Sequence, residues 1–214
     1  MSFHLSGKQQ NRFEILSEKL SEVKLHLEKT QLKIAVINHT RNYQSLSLFF
    51  FSGAEVSDCG KYVLVTTHQE CRDNLIYFTK LNSSDDITGL FDLTQVVYKF
   101  EHDFEYITNT GSKFLFRTNR DAPNYRLIII DFDHTPTSDN IENQDIWPMT
   151  TLIPECEDQV LEWAACVNKD KLIICYLKDV KNSLYVHDLS TGDHLHEIPL
   201  EIGSVTRFSV DKRY

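Results

Sequence analysis

One phrase recurs three times in this chain and limits its fold more than any other feature: a polar turn, an apolar strand, a polar bend and a second apolar strand. The first copy runs from the turn Ser57-Asp58-Cys59-Gly60 through Lys61–Thr67, a bend over His68–Asn74, and Leu75-Ile76-Tyr77-Phe78. Asp and Ser open such turns by bonding nearby backbone amides, and glycine supplies the positive φ that closes them. The second copy has its turn at Thr108–Gly111, a strand at Phe114–Thr118, a bend through Pro123-Asn124 and a strand at Tyr125–Phe132. The third has its turn at Asn168–Asp170, strands at Leu172–Leu177 and Leu184–Leu189, and a bend through Lys181-Asn182-Ser183. Aromatic and β-branched residues dominate these runs, as a pleated surface favours. The runs are apolar on both sides, which requires a second sheet on each face. The turns recur roughly every 50–60 residues, close to the period of propeller blades. Gln95–Phe100, Met149–Ile153 and His194–Ile198 supply a further strand to each copy, and the polar Asp133–Gln144 stretch reads as a surface insertion. The expected fold is all-β, a partial β-propeller of about three blades over residues 53–100, 101–155 and 156–202, with a further blade starting at 203–214.

Residues 1–52 read differently, as an extension before the propeller. Over about 11–38 the pattern predicts one amphipathic helix. Asn11 and Glu14 form a capping box, and Phe13, Leu16, Leu20, Val23 and Leu27 recur at the three-four spacing of one apolar stripe. The stripe falls short of a sustained coiled coil, so the helix is expected to pack on its own chain or stand alone. Ser45–Ser52 is an uncharged, β-prone window that suits a strand feeding the first blade.

Composition narrows the function. A net charge of −9 argues against nucleic acid or an anionic membrane as partner, since both select Lys/Arg patches. No apolar run approaches the ~20 residues that span a bilayer, and Met1–Gln10 lacks the apolar core of a signal peptide. Five cysteines form an odd set without tight spacing, and Cys166 and Cys175 fall within apolar runs. Reduced thiols and a cytoplasmic location are expected, which makes the sequons at Asn38 and Asn82 chance matches. No two glycines stand four apart, so there is no Gly-x-Ser-x-Gly nucleophile elbow; dinucleotide and phosphate-loop signatures are missing too, and no cofactor is expected. His194 and His196 share a strand face but fall short of the three or four ligands of a zinc site. Glu155–Asp158 reads as a charged loop, and Trp163 as blade packing. Cys71 sits among polar neighbours in a bend; Arg72 favours its thiolate, whereas Glu70 and Asp73 oppose it.

A run of short collinear motifs then resembles one family. Gly53-Ala54-Glu55-Val56-Ser57-Asp58, Thr118-Asn119-Arg120, Pro123-Asn124-Tyr125-Arg126, Val160-Leu161-Glu162-Trp163, Asp179-Val180-Lys181-Asn182 and His187-Asp188-Leu189-Ser190-Thr191-Gly192 look like the propeller domain of prolyl oligopeptidase. The likeness extends from about Gly53 to Ser209, and residues before Ser52 do not share it. It implies a serine-type endopeptidase that cleaves short peptides after proline, with a seven-bladed propeller filtering substrates above a hydrolase domain that holds the catalytic triad. It also implies a thiol lining the substrate pocket at the position of Cys71. His68 stands where the family carries an arginine three residues before that thiol, and Phe51 where a pocket methionine precedes the Gly-Ala-Glu run. The implied substrate-binding set is therefore Cys71, His68 and Phe51, with no catalytic residue within residues 1–214. The implied partners are short proline-containing peptides, the hydrolase domain and the remaining blades.

Phe49-Phe50-Phe51 lies where the resemblance begins, as a read-through pyrimidine-rich intron end would encode, so an incomplete gene model is one expectation. Transcripts with a continuous frame from Met1 to a stop after Tyr214, together with cellular protein of that size, would refute it. The alternative function is a standalone propeller-type interaction module, with the N-terminal helix as its docking element.

Overall fold

The computed structural model describes residues 50–69, 72–81, 92–134, 146–200 and 205. The helix expected at 11–38, Cys71, nearly all of the 133–144 insertion and all of 203–214 except Val205 lie outside the described residues. What is described is all-β: three four-stranded antiparallel meanders. The first sheet holds β1 (Phe50–Val56), β2 (Tyr62–Gln69), β3 (Asn74–Lys80) and β4 (Thr94–Val97). The second holds β5 (Phe104–Thr110), β6 (Lys113–Thr118), β7 (Arg126–Asp131) and β8 (Met149–Ile153). The third holds β9 (Val160–Val167), β10 (Lys171–Lys178), β11 (Lys181–Asp188) and β12 (His194–Ile198). Each sheet is a chain-ordered meander, so the three are structural repeats.

Strand alternation explains how the sheets stack. On β6, Phe114 and Phe116 face the first sheet while Leu115 faces the third. On β7, Ile128 and Ile130 face the first sheet, and Leu127 and Ile129 the third. Successive side chains on a strand point to opposite faces, so a continuous apolar run buries both. That is why the middle strands read as unbroken hydrophobic stretches. The outer sheets follow the same rule: Val63 and Val65 on β2, and Ile173 and Cys175 on β10, build apolar faces directed away from the second sheet. Among the described residues no further sheet covers those two faces.

The first strands of the second and third sheets approach each other. β5 runs close to β9, while the last strands lie at the rim; four of the five residues of β12 are exposed. In every sheet the pairing of third with fourth strand carries a register shift, between Ile76 and Tyr77, Leu127 and Ile128, and Val186 and His187. Such bulges increase local twist, as blades splaying outward from a hub require. β4 ends at Val97, earlier than the apolar run through Phe100 suggests. Beyond it the Tyr98 hydroxyl accepts from Trp147 Nε1 at 3.0 Å, and Val97 forms a bridge to Ile146, so the rim of the first sheet is tied to the second.

Candidate functional site

The bend between second and third strands falls on the same side of all three sheets. The first spans 70–73 between β2 and β3, the next 119–125 between β6 and β7, and the last is Asp179-Val180 between β10 and β11. The first two bends sit beside the chain as it enters the following sheet, the third bend lies near Val205, and an asparagine makes each contact. Asn74 is buried; its Nδ2 donates to the Phe104 carbonyl and its Oδ1 accepts from the Phe104 amide, both at 2.8 Å. Asn124 Nδ2 donates to the carbonyls of Cys156 and Glu157. Asn182 Oδ1 accepts from the Val205 amide at 2.7 Å. An asparagine side chain carries the donor and acceptor of a peptide group, so it substitutes for a strand partner where no strand is available. The sequence analysis gave these three residues no role, although each lies within two residues of the start of the third strand of its copy.

Two of the three positions that the resemblance implies for substrate binding are paired in the first sheet. β1 and β2 are paired so that Phe51 lies opposite His68. His68 is half-buried at the end of β2, and its Nδ1 lies 3.3 Å from the Arg72 carbonyl across the bend. Cys71, within that bend, lies outside the described residues.

A second polar cluster occupies the neighbouring part of the face and was also unassigned. Arg117 on β6 is nearly buried, with its side chain 11% exposed. Its Nε donates to the Leu161 carbonyl at 2.8 Å and its Nη1 to Glu105 Oε2 at 3.0 Å. The guanidinium also lies over the Tyr125 ring, 3.7 Å from the centroid, and the Tyr125 hydroxyl donates to Asp103 at 3.1 Å. Burial raises the Tyr125 phenol above its usual value, and the Asp103 charge adds to the rise; Arg72 from the first bend acts in the opposite sense. Burial likewise lifts the Glu105 carboxyl despite Arg117 beside it. Arg120 and Arg126 flank Asp121, their guanidinium nitrogens 3.7 and 3.6 Å from its carboxylate, beyond hydrogen-bond length. The buried Nε atoms of both arginines lack an acceptor.

The opposite face is built around Cys59 in the first turn. Its thiol is exposed, 3.0 Å from Asn109 Nδ2 and 3.4 Å from the Ser57 hydroxyl. Burial works against ionisation there, but the Ser57 and Asn109 hydrogen bonds, with Lys61, hold the thiol below its ordinary value. Cys175 contrasts with it: burial, with the Glu162 charge adding, raises that thiol to about 11. No group of three or more His, Cys, Asp or Glu among the described residues could hold a metal ion. No helix among them is long and apolar enough to cross a membrane.

Comparison with known proteins assigns this architecture. The model of the prolyl oligopeptidase N-terminal β-propeller domain matches residues 18–214. The chain belongs to the prolyl oligopeptidase family. The match starts at residue 18, upstream of the Gly53 boundary read from the motifs. Prolyl oligopeptidase dbiP of Dendrothele bispora is 31% identical over 150 residues, covering 70% of this chain and 19% of that protein. Among solved structures, prolyl oligopeptidase B of Galerina marginata in its apo form is 25% identical, with a TM-score of 0.66 over 77% of this chain and 22% of its own. The same enzyme bound to a 35mer hydrolysis and macrocyclization substrate is 26% identical, with a TM-score of 0.61 over 70% of this chain and 19% of its own. The chain thus spans about a fifth of the length of the relatives it matches.

Proposed function

We propose that this chain is the substrate-facing arc of the propeller of a proline-specific serine oligopeptidase, an enzyme that hydrolyses short peptides after proline. In this reading the hydrolase domain, with its serine, aspartate and histidine, is supplied by polypeptide outside these residues and sits over the bend face. Further blades pack on the apolar faces around Val63 and Val65 and around Ile173 and Cys175, closing a ring that admits peptides and excludes folded proteins. A narrow chamber of this kind selects by size and strengthens the electrostatics at the reacting bond by excluding water. Phe51, His68 and Cys71 form the wall that contacts the peptide on the amino side of its proline, Phe51 as the apolar surface, His68 as a polar group and Cys71 as a compact thiol. The observation that carries the reading is the register of β1 on β2, which sets Phe51 opposite His68 immediately before the bend that contains position 71. The peptide substrate named for a solved relative supports the substrate class.

The test uses the longest polypeptide that the gene encodes around these residues, assayed on a chromogenic peptide with proline before the scissile bond. Cleavage after proline is expected, together with a severalfold rise in KM and little change in kcat for Cys71→Ser and His68→Ala. Alkylation of Cys71 should slow the enzyme, and a competing proline peptide should protect it. A complete polypeptide that does not cleave after proline would overturn the proposal. Cleavage that is indifferent to both substitutions would remove the pocket assignment.

A further inference from the structure

Tyr125 closes the second bend in a conformation that few side chains accept. Its φ is 69°, and no other aromatic among the described residues lies at positive φ. A Cβ crowds the backbone in that region, and a residue stays there only where its surroundings over-determine it. Three contacts do so. The Tyr125 amide donates to the Ala122 carbonyl at 2.8 Å, the Arg117 guanidinium covers the ring, and the hydroxyl donates to Asp103 Oδ2 at 3.1 Å. The first two would hold a phenylalanine as well. The hydroxyl is the part of this side chain that packing does not explain.

Asp103 is the point at which the first two bends meet. Its amide donates to Asn119 Oδ1 at 2.8 Å, so the second bend grips it twice. Arg117 Nη1 is 3.8 Å from the same carboxylate oxygen, an ion pair beyond hydrogen-bond length. The residues on either side of Asp103 carry the first bend. The His102 carbonyl accepts from the Asn74 amide at 3.1 Å, and the Phe104 amide and carbonyl both bond the buried Asn74 side chain. Asn74 stands opposite His68 in the pairing of β2 with β3, and His68 Nδ1 lies 3.3 Å from the Arg72 carbonyl. A continuous run of hydrogen bonds and ladder contacts therefore leads from the Tyr125 hydroxyl to His68. Networks of this kind carry energetic coupling between separated positions.

We propose that Tyr125 is a positioning residue for peptide binding: its hydroxyl holds Asp103, Asp103 holds the 102–104 segment against Asn74, and the β2–β3 ladder passes that placement to His68. The role rests on the proposed function for what His68 contacts, whereas the relay from Tyr125 to His68 does not. A tyrosine that served only the packing between the second and third sheets would act through its ring, which Tyr125→Phe retains.

The test is a double-mutant cycle in the complete protein, which isolates the coupling between two residues. Tyr125→Phe is expected to raise KM for the proline peptide about fivefold, the worth of one hydrogen bond, with kcat unchanged. It should also move the ring resonances of His68 in protein carrying labelled histidine, the signal being identified by its loss in His68→Ala. Introduced into His68→Ala, Tyr125→Phe should leave KM where His68→Ala alone puts it. Asp103→Ala should reproduce Tyr125→Phe. Asp103→Asn, whose amide oxygen still accepts from the hydroxyl, should fall between Asp103→Ala and the unsubstituted protein. Fully additive KM effects of Tyr125→Phe and His68→Ala would overturn the proposal, as would His68 resonances that Tyr125→Phe leaves in place. A lower urea midpoint with KM and the His68 resonances both unchanged would reduce Tyr125 to a packing residue. Should the unsubstituted protein fail to cleave after proline, the proposed function falls, and the His68 resonances alone decide the relay.

Discussion

The two interfaces between neighbouring sheets solve the same packing problem by different chemistry. Between the first and second sheets the core is aromatic. Phe114 stacks on Phe132 at 4.0 Å and meets Tyr62 edge-on at 5.1 Å, while Phe78 stacks on Phe132 and meets Trp147 edge-on. Between the second and third sheets the core is chiefly aliphatic, built from Ile107, Leu115, Leu127, Leu161, Leu172 and Ile174. That interface adds a charged clasp, with Arg117 reaching across to the Leu161 carbonyl while held by Glu105 and Tyr125. Ring stacking is insensitive to salt and pH, whereas a clasp that includes the half-exposed Glu105 carboxylate responds to both. The aromatic core of the first interface is therefore expected to respond less to salt and pH than the clasp of the second, although the exposed Lys80–Asp133 ion pair at its rim will respond to both.

The largest expected effect tests the aromatic core. Phe114→Ala removes a fully buried ring from the centre of the aromatic cluster and is expected to cost about 3–5 kcal/mol, read from the urea midpoint. A loss below about 1 kcal/mol would mean that the cluster is not cooperative. Arg117→Ala comes next. It strips the Leu161 carbonyl, Glu105 and Asp103 of their cation, with an expected loss of about 2 kcal/mol. Raising salt should shrink that loss while leaving the Phe114→Ala loss unchanged. Equal salt sensitivity in the two variants would erase the contrast. Asn74→Ala, which unpairs both the amide and the carbonyl of Phe104, is expected to cost a comparable 1–3 kcal/mol, about the penalty of unsatisfied buried groups. It should preferentially raise hydrogen exchange at Phe104.

Smaller effects mark the periphery of the third sheet. The Asp188 carboxylate accepts from the Ser190 hydroxyl and amide and from the Thr191 amide, which lowers its pKa to about 2. Because the folded value lies below the unfolded one, its contribution is fully present above the ordinary carboxylate range and is lost as pH falls through about 2. Ser190 and Thr191 amide shifts should thus hold steady down to about pH 3 and move only below it. Thiol reactivity provides the last test. Cys59 should alkylate at neutral pH at least about a hundredfold faster than Cys175, as their opposite shifts require. Comparable rates would show the outer face of the third sheet opening in solution.

Much of this architecture was legible beforehand. Phe114-Leu115-Phe116 and Leu172-Ile173-Ile174-Cys175 are apolar at every position because both faces of their strands carry core side chains, and glycine stands at positive φ in the turns at Gly60 and Gly111. The first strands were harder to read. β5, Phe-Glu-Tyr-Ile-Thr-Asn-Thr, and β9, Val-Leu-Glu-Trp-Ala-Ala-Cys-Val, mix polar and apolar residues, and most of β9 is only half-buried. An edge strand near a hub has less apolar surface to match, so its pattern is diluted. The site was legible as far as a motif could take it. Phe51 and His68 were singled out by resemblance, and their apposition emerged from register. Arg117 was invisible, because an arginine inside a strand reads as a solvated residue until Leu161, 44 residues away, is brought beside it.

Unbroken apolar runs, turn residues and the repeat of a strand pair were enough to determine stacked antiparallel sheets, since these are local properties of the chain and of water's aversion to apolar surface. Only the tertiary structure decided which strands meet at the hub, which asparagine stands in for a missing strand partner, and which arginine is drawn out of solvent. Those outcomes depend on groups distant in sequence arriving at hydrogen-bond distance, and no short pattern encodes that approach.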